Sequence, residues 1–214
     1  MEVFHTDRIS ESDFNTIVAI LRAGGLIAFP TDTAYGLGAD PFNEAAIDRI
    51  FDIKRRAEGK PILLLVGSVQ MAESVSVPSP IFYKVAEKFW PGPLTLVVKA
   101  ADAVPVKITA ATKTIGLRWP VAEFARFLVT RLGKPITATS ANRSAMPAAV
   151  TAEEVRHELG ESIDALIDGG TLPARGGSSL LDLTVDPPVL LREGPISFES
   201  LSEFLGGQIR REVA

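Results

Sequence analysis

The chain has 214 residues, enough for one large domain or two small ones and for burial of roughly two thirds or more of the unfolded surface. It has no cysteine and only two histidines, His5 and His157, which excludes a disulfide framework, thiolate nucleophiles and any metal site built from Cys and His. Lys plus Arg is 22 against 26 for Asp plus Glu, a net charge of −4, so the whole molecule does not attract nucleic acid and an anion site has to be a local cluster.

The first residues contain no basic segment followed by an apolar run, and the longest apolar runs, such as Ile62 to Val66, fall far short of a membrane span. The expected location is cytoplasmic, with no membrane partner. Phe14, Ile17, Val18 and Leu21 follow one helix face, with Ser12 as a candidate N-cap and Gly24-Gly25 as the stop. Leu26 to Phe29 reads as a short buried strand ended by Pro30, and TDTAYGLGADPF as a loop. Asn43 can cap a second helix carrying Ile47, Ile50 and Phe51, closed by Gly59 before a strand at Ile62 to Val66.

Ser79-Pro80 starts a helix with Phe82, Val85, Ala86 and Phe89 on one face, followed by the rigid turn WPGP and a strand at Leu94 to Val98. Further strands are expected at Ile115 to Arg118, Ile136 to Thr139 and Ala165 to Ile167, and helices at Ala122 to Leu132 and Thr151 to Leu159. Thr151 and Glu154 have capping-box spacing. Leu180 to Thr184 and Val189 to Arg192 read as a strand pair, Phe198 to Leu205 as a last helix and QIRREVA as a loose tail. Helices and strands alternate without repeats or linkers, so the expectation is one mixed α/β domain over 1–214, with a core of about 10–205.

The common phosphate motifs are absent: Gly59-Lys60 and Gly133-Lys134 are each followed by proline, and Gly36-Leu37-Gly38 lacks the third glycine of GxGxxG. No GxSxG elbow occurs either. Attention falls on Lys54, which extends the apolar series Ile47, Ile50, Phe51. It is either a lysine snorkelling from the helix end or a buried cation with an anionic partner. Arg56, two residues on, adds a fork-shaped donor for phosphate or carboxylate, whereas Arg55 reads as solvated.

Thr137-Ala138-Thr139-Ser140-Ala141-Asn142 ends a strand in small polar residues, at the edge where α/β proteins bind ligands. Ser140 and Asn142 read equally well as cap or turn residues. Arg175-Gly176-Gly177-Ser178-Ser179 is either a backbone nest for a phosphate or a flexible turn. Arg118 and Arg192 each end an apolar strand, where an arginine taken singly reads first as an ordinary surface residue. With Lys54 and Arg56 they would make a basic pocket in an acidic protein.

Lys54-Arg55-Arg56 followed far downstream by Ser140-Ala141-Asn142 resembles the KxR and SxN fingerprint of the YrdC-like threonylcarbamoyl-AMP synthases. FPTDTAYGLGAD, FWPGPLTLVV, TIGLRWP, ATSAN, SSLLDLT and LREG are similar to that family's segments and come in its order, so the likeness runs from about Gly24 to Gly194. The resemblance implies a YrdC/RibB-like fold, a twisted mixed sheet flanked by helices around a basic cavity, here in its single-domain form. Carried over by motif, Thr33, Arg118 and Ser178 would bind threonine, while Lys54, Arg56, Thr114, Ala138, Ser140, Asn142 and Arg192 would line the ATP site. Lys54 and Arg56 would be the catalytic cations. Three positions depart from the family pattern: Leu65 stands where many members have histidine, and Ala145 and Ala148 follow SAN where many have Gly and Ser.

The implied reaction joins L-threonine, bicarbonate or CO2 and ATP into threonylcarbamoyl-AMP and pyrophosphate, for N6-threonylcarbamoyladenosine in tRNA. Threonine's amine captures CO2 as a carbamate whose oxygen attacks the α-phosphorus. The residues offer cations and hydroxyls but no evident nucleophile, which suits catalysis by positioning and charge stabilisation. Mg2+ would arrive with ATP, held mostly by phosphates and water. Expected partners are the proteins that transfer the product to tRNA, and weakly tRNA or double-stranded RNA itself. Two other readings stand beside this one: a carbamoyl-adenylate enzyme using carbamoyl phosphate, and a non-catalytic RNA-binding module. The net charge and the lack of basic stretches interleaved with aromatics weigh against the second.

Overall fold

A computed structural model describes residues 1–55, 59–144, 146–173 and 177–212. In chain order the elements begin with β1 (Glu2–His5), α1 (Glu11–Arg22), β2 (Ile27–Pro30), β3 (Tyr35–Gly38), α2 (Glu44–Lys54) and β4 (Leu64–Leu65). Next come α3 (Val69–Glu73), β5 (Ser76–Val77), α4 (Pro80–Phe89), β6 (Leu94–Ala100), α5 (Val106–Thr109), β7 (Thr114–Arg118) and α6 (Glu123–Leu132). The remainder is β8 (Ile136–Thr137), β9 (Thr139–Ser140), α7 (Ala152–Leu159), a 3-10 turn (Gly160–Ser162), β10 (Ala165–Asp168), β11 (Ser179–Asp182), β12 (Val189–Arg192), α8 (Phe198–Phe204) and β13 (Arg210–Arg211).

The strands form two mixed sheets rather than one. The smaller has the order β1-β10-β2-β3-β9, and the larger β13-β12-β11-β6-β7-β4-β8, with β5 attached to β6. The stretch predicted as one strand at Ile136 to Thr139 is two. Ile136–Thr137 pairs antiparallel with β4 in the larger sheet, and Thr139–Ser140 pairs antiparallel with β3 in the smaller. Ala138 is the crossing point, which brings the sheet edges together at the SAN segment.

Period-two alternation explains where the apolar groups go. In β2, Ile27 and Phe29 join a cluster with Phe14, Ile17 and Leu21 of α1 and Phe124 and Leu128 of α6, while Leu26 and Ala28 turn to the larger core. In the larger sheet Leu94, Leu96 and Val98 of β6, Ile115 and Leu117 of β7, Leu64 of β4 and Leu181 of β11 pack into that core. The intervening residues of the same strands are left facing the opposite side, and these build the cavity described below.

The helix signals hold with shifts of one or two residues. Ser10, not Ser12, caps α1, because its hydroxyl accepts from the Asp13 amide while the Asp13 carboxylate reaches back to the Ser10 amide. Asn43 caps α2 and the Thr151/Glu154 box caps α7. α2 ends before Gly59, at Lys54, and is followed by Arg55, whose φ of 48° is left-handed. Three sequence expectations change. The TDTAYGLGADPF loop contains β3, whose Gly36 and Gly38 masked the alternation of Tyr35 and Leu37. Only Leu64 and Leu65 of the apolar run at 62–66 are in a ladder. The tail, expected to be loose, contributes β13 beside β12.

Candidate functional site

A cavity of about 950 Å³ opens between the two sheets. Its floor is the face of the larger sheet left over by the core: Thr95 and Val97 of β6, Thr114, Gly116 and Arg118 of β7, Leu180 and Asp182 of β11, Leu65 of β4 and Arg192 of β12. The smaller sheet and its loops add Thr31, Thr33, Tyr35, Gly36, Thr139 and Ser140. The lining combines hydroxyls and two arginines with the apolar side chains of Leu63, Leu65, Val97, Ala138 and Val150.

The two arginines stand in one electrostatic environment. Arg118 is 3% exposed. Its Nη1 donates to Thr33 Oγ1 at 3.1 Å, and its Nε donates to the Gly92 carbonyl at 3.3 Å. Its Nη2 lies 2.5 Å from Asp32 Oδ2. This last approach is an ion pair without hydrogen-bond direction: among the described residues neither Nη2 nor the other oxygen of Asp32 has a hydrogen-bond partner. Arg192 donates through Nε to the Ser178 carbonyl at 3.0 Å and more weakly through Nη2 to Ser178 Oγ at 3.5 Å. Burial first, and then the like charge of Arg118, push the Arg192 guanidinium below its ordinary pKa, yet an arginine remains protonated at any physiological pH. Ser178 Oγ shares a 2.6 Å hydrogen bond with Thr95 Oγ1.

Of the residues predicted for the site, Thr33, Thr114, Arg118, Ala138, Ser140, Ser178 and Arg192 all border this cavity. Leu65 and Ala148, two of the departures from the family pattern, border it as well. Lys54 and Asn142 are buried beside it instead, 2% and 4% exposed, and do not form its lining. Lys54 Nζ donates to the carbonyls of Ser140 (2.5 Å) and Asn142 (2.6 Å) and approaches Asn142 Oδ1 at 3.3 Å. Arg56, Ala145, Arg175 and Gly176 lie outside the described residues. Thr31, Asp32, Thr95 and Asp182 were not singled out by sequence reasoning. For Thr95 a signal existed, since it interrupts the apolar run LTLVV at a position whose neighbours are both core residues. Asp32 carried none, because its significance comes from Arg118, 86 residues away in sequence and adjacent only in the fold.

The arrangement defines an α/β protein with a ligand cavity lined by arginines and hydroxyls between two mixed sheets. The profile of a family described as telomere recombination, comprising Sua5, YciO and YrdC proteins, matches residues 19–194. The chain belongs to this family. It is 37% identical over 201 residues to the threonylcarbamoyl-AMP synthase of Pyrococcus abyssi, covering 94% of this chain and 59% of that protein. It is 37% identical over 190 residues to a putative threonylcarbamoyl-AMP synthase of Mycobacterium tuberculosis, covering 88% and 87% respectively. The fold superposes on P. abyssi Sua5 complexed with L-threonine with a TM-score of 0.93 over 99% of this chain and 63% of that one, at 36% identity. It also superposes on Escherichia coli YciO with a TM-score of 0.82, at 30% identity over 91% and 95% of the two chains. The chain thus spans 59% of the length of the curated relatives from P. abyssi and Bacillus subtilis.

Proposed function

We propose that the protein is a nucleotidyltransferase that forms threonylcarbamoyl-AMP and pyrophosphate from L-threonine, bicarbonate or CO2, and ATP, in the cytoplasm, as a step toward tRNA modification. The observation that carries this reading is that Thr33, Arg118 and Ser178 line one cavity, in a fold that matches a relative complexed with L-threonine. In this reading these three residues hold threonine. Thr114, Ala138, Ser140 and Arg192 line the nucleotide site.

The chemistry asked of the cavity is modest. The threonine carbamate must lie in line with the α-phosphorus, and the charge that grows on the phosphate oxygens must meet preorganised donors. Arg118 is paired with Asp32, whereas the bonds of Arg192 to Ser178 are to neutral groups, so the Arg192 charge is the one more open to a phosphate. The hydroxyls of Ser140, Ser178 and Thr33 add donors that need no proton transfer. Mg2+ enters with ATP, carried by phosphates and water. Among the described residues no three metal-ligating side chains gather, and Asp182 is the one carboxylate in the cavity lining. No helix among the described residues is long and apolar enough to cross a membrane.

The decisive experiment measures pyrophosphate release from ATP with bicarbonate, with and without threonine. Threonine-dependent release is expected. Release that needs carbamoyl phosphate instead, or tRNA binding with no turnover, would replace this reading with one of the alternatives.

A further inference from the structure

Two of the fingerprint residues, Lys54 and Asn142, are withheld from the cavity that a third residue of the fingerprint, Ser140, borders, while the fourth, Arg56, lies outside the described residues. Among the described residues three oxygens converge on the Lys54 ammonium: the main-chain carbonyls of Ser140 and Asn142 and the side-chain oxygen of Asn142. Three acceptors match the three protons of an ammonium. The main chain of Lys54 contributes as well, since its carbonyl accepts from the Ser144 amide at 2.9 Å. Asn142 extends the network by donating through Nδ2 to the Met146 carbonyl at 2.5 Å. From the far side the Ala141 amide donates to the Tyr35 carbonyl of β3 at 2.8 Å.

The last residue of α2 therefore holds positions 140, 142 and 144 directly and position 146 through Asn142. An ammonium buried in this way is stable because carbonyl dipoles replace its hydration. A planar guanidinium cannot point three donors at oxygens that converge on a single nitrogen. We propose that Lys54 is a positioning residue rather than a phosphate ligand: its charge is used to hold residues 140–144, and through them it places Ser140 on the cavity lining. The functional consequence rests on reading this cavity as the nucleotide site; the structural half does not.

The test begins with amide hydrogen exchange on the ligand-free protein. Lys54→Met should accelerate exchange across 139–147 by about tenfold or more, because acceptors and donors that were paired in the interior lose their anchor. Protection in α1 and α6 should be unchanged. Should Lys54→Met fail to melt cooperatively, Lys54→Gln replaces it, with a smaller acceleration confined to the same segment. Unchanged exchange in 139–147 in a folded variant overturns the proposal, whatever the protein's activity.

The kinetic arm uses KM for ATP. Lys54→Met and Lys54→Arg should both raise it, by up to about 100-fold for a displaced contact. Lys54→Gln should recover part of the loss, since an amide can donate to one of the carbonyls without charge. Lys54→Met combined with Asn142→Ala should be no worse than the worse single variant, as expected of one network. Rescue by arginine but not glutamine, or losses that multiply, would mean that the lysine charge acts on the phosphates, and would overturn the proposal.

Discussion

Asp32 and Arg118 are paired inside the cavity wall, with Oδ2 2.5 Å from Nη2 and side chains 18% and 4% exposed. They come from the β2–β3 turn and the end of β7, so the contact ties the smaller sheet to the larger at the point where Thr33 and Arg118 meet. Removing one partner of a buried pair leaves an uncompensated charge. Asp32→Asn keeps the shape and deletes the charge. Because Asp32 retains some access to water, the expected loss of stability is about 1 to 3 kcal/mol, below the value for a fully buried pair. Urea unfolding measures it; a loss under about 0.5 kcal/mol would mean that solvent already screens the pair.

Arg192 leads to the second prediction. Its bonds to Ser178 are with a carbonyl and a hydroxyl, so the charge is available to an anion in the cavity. Arg192→Gln should raise KM for ATP by about 10- to 100-fold, the range expected when a charge-assisted hydrogen bond to phosphate is lost. KM for threonine should change less. Equal effects on both substrates would place the guanidinium between the two sites instead of at the phosphates.

Tyr35 supplies a pH signature. Its hydroxyl donates to the Gly170 carbonyl at 2.8 Å and accepts from the Gly169 amide at 2.9 Å. Burial is the main reason that its pKa is pushed up to about 12 from an ordinary value of 10.0. The native state therefore keeps the phenolic proton at a pH where the unfolded chain releases it. That contribution to stability is complete below about pH 10 and is lost progressively between about pH 10 and 12. Tyr35→Phe should lower stability at neutral pH by about 1 to 2 kcal/mol, since the Gly169 amide and Gly170 carbonyl lose their partner. It should also flatten the decline above pH 10. Urea midpoints from pH 8 to 11 for both proteins decide the matter; parallel curves would contradict the buried, neutral phenol.

How much of this was legible in the sequence depends on whether the signal was local. The caps at Asn43 and Thr151, the apolar faces of α1, α4 and α6, and the strands at 94–98 and 115–118 are local patterns, and they were readable. The displaced cap at Ser10 follows from the reciprocal Ser10–Asp13 bonds, which compete with the equally plausible Ser12. Ala138 could not be read as a crossing between sheets, because Ile136 to Thr139 is short and three of its four residues are β-branched. The site residues came mostly from ordered motifs, while their division into cavity wall and support is tertiary. Periodicity places Lys54 on the buried face of α2, but only the fold reveals that carbonyls of residues 86 and 88 positions downstream receive its protons.

The last prediction concerns the choice of amino acid. Leu65 is aligned with Arg118 across the β4–β7 ladder, and both line the cavity, so an apolar wall and a cation with its Thr33 partner stand side by side. An amino acid whose carboxylate is oriented toward the arginine would present its side chain between Leu65 and the hydroxyls of Thr33 and Ser178. Serine lacks one methyl of threonine, and one methyl in an apolar pocket is worth roughly 1 to 3 kcal/mol, so threonine should be preferred by about 10- to 200-fold in kcat/KM. Valine keeps the methyl but carries a second methyl in place of the hydroxyl, which would leave a buried donor or acceptor unpaired. Its discrimination should be larger, up to about 10⁴-fold. Leu65→His tests the wall directly: it removes apolar contact and adds a polar group, so the preference for threonine over serine should shrink while that over valine persists. The measurement is ATP-dependent pyrophosphate release at saturating bicarbonate with each amino acid. Turnover indifferent to the amino acid, in the native protein or the variant, would mean that this wall does not hold the substrate side chain.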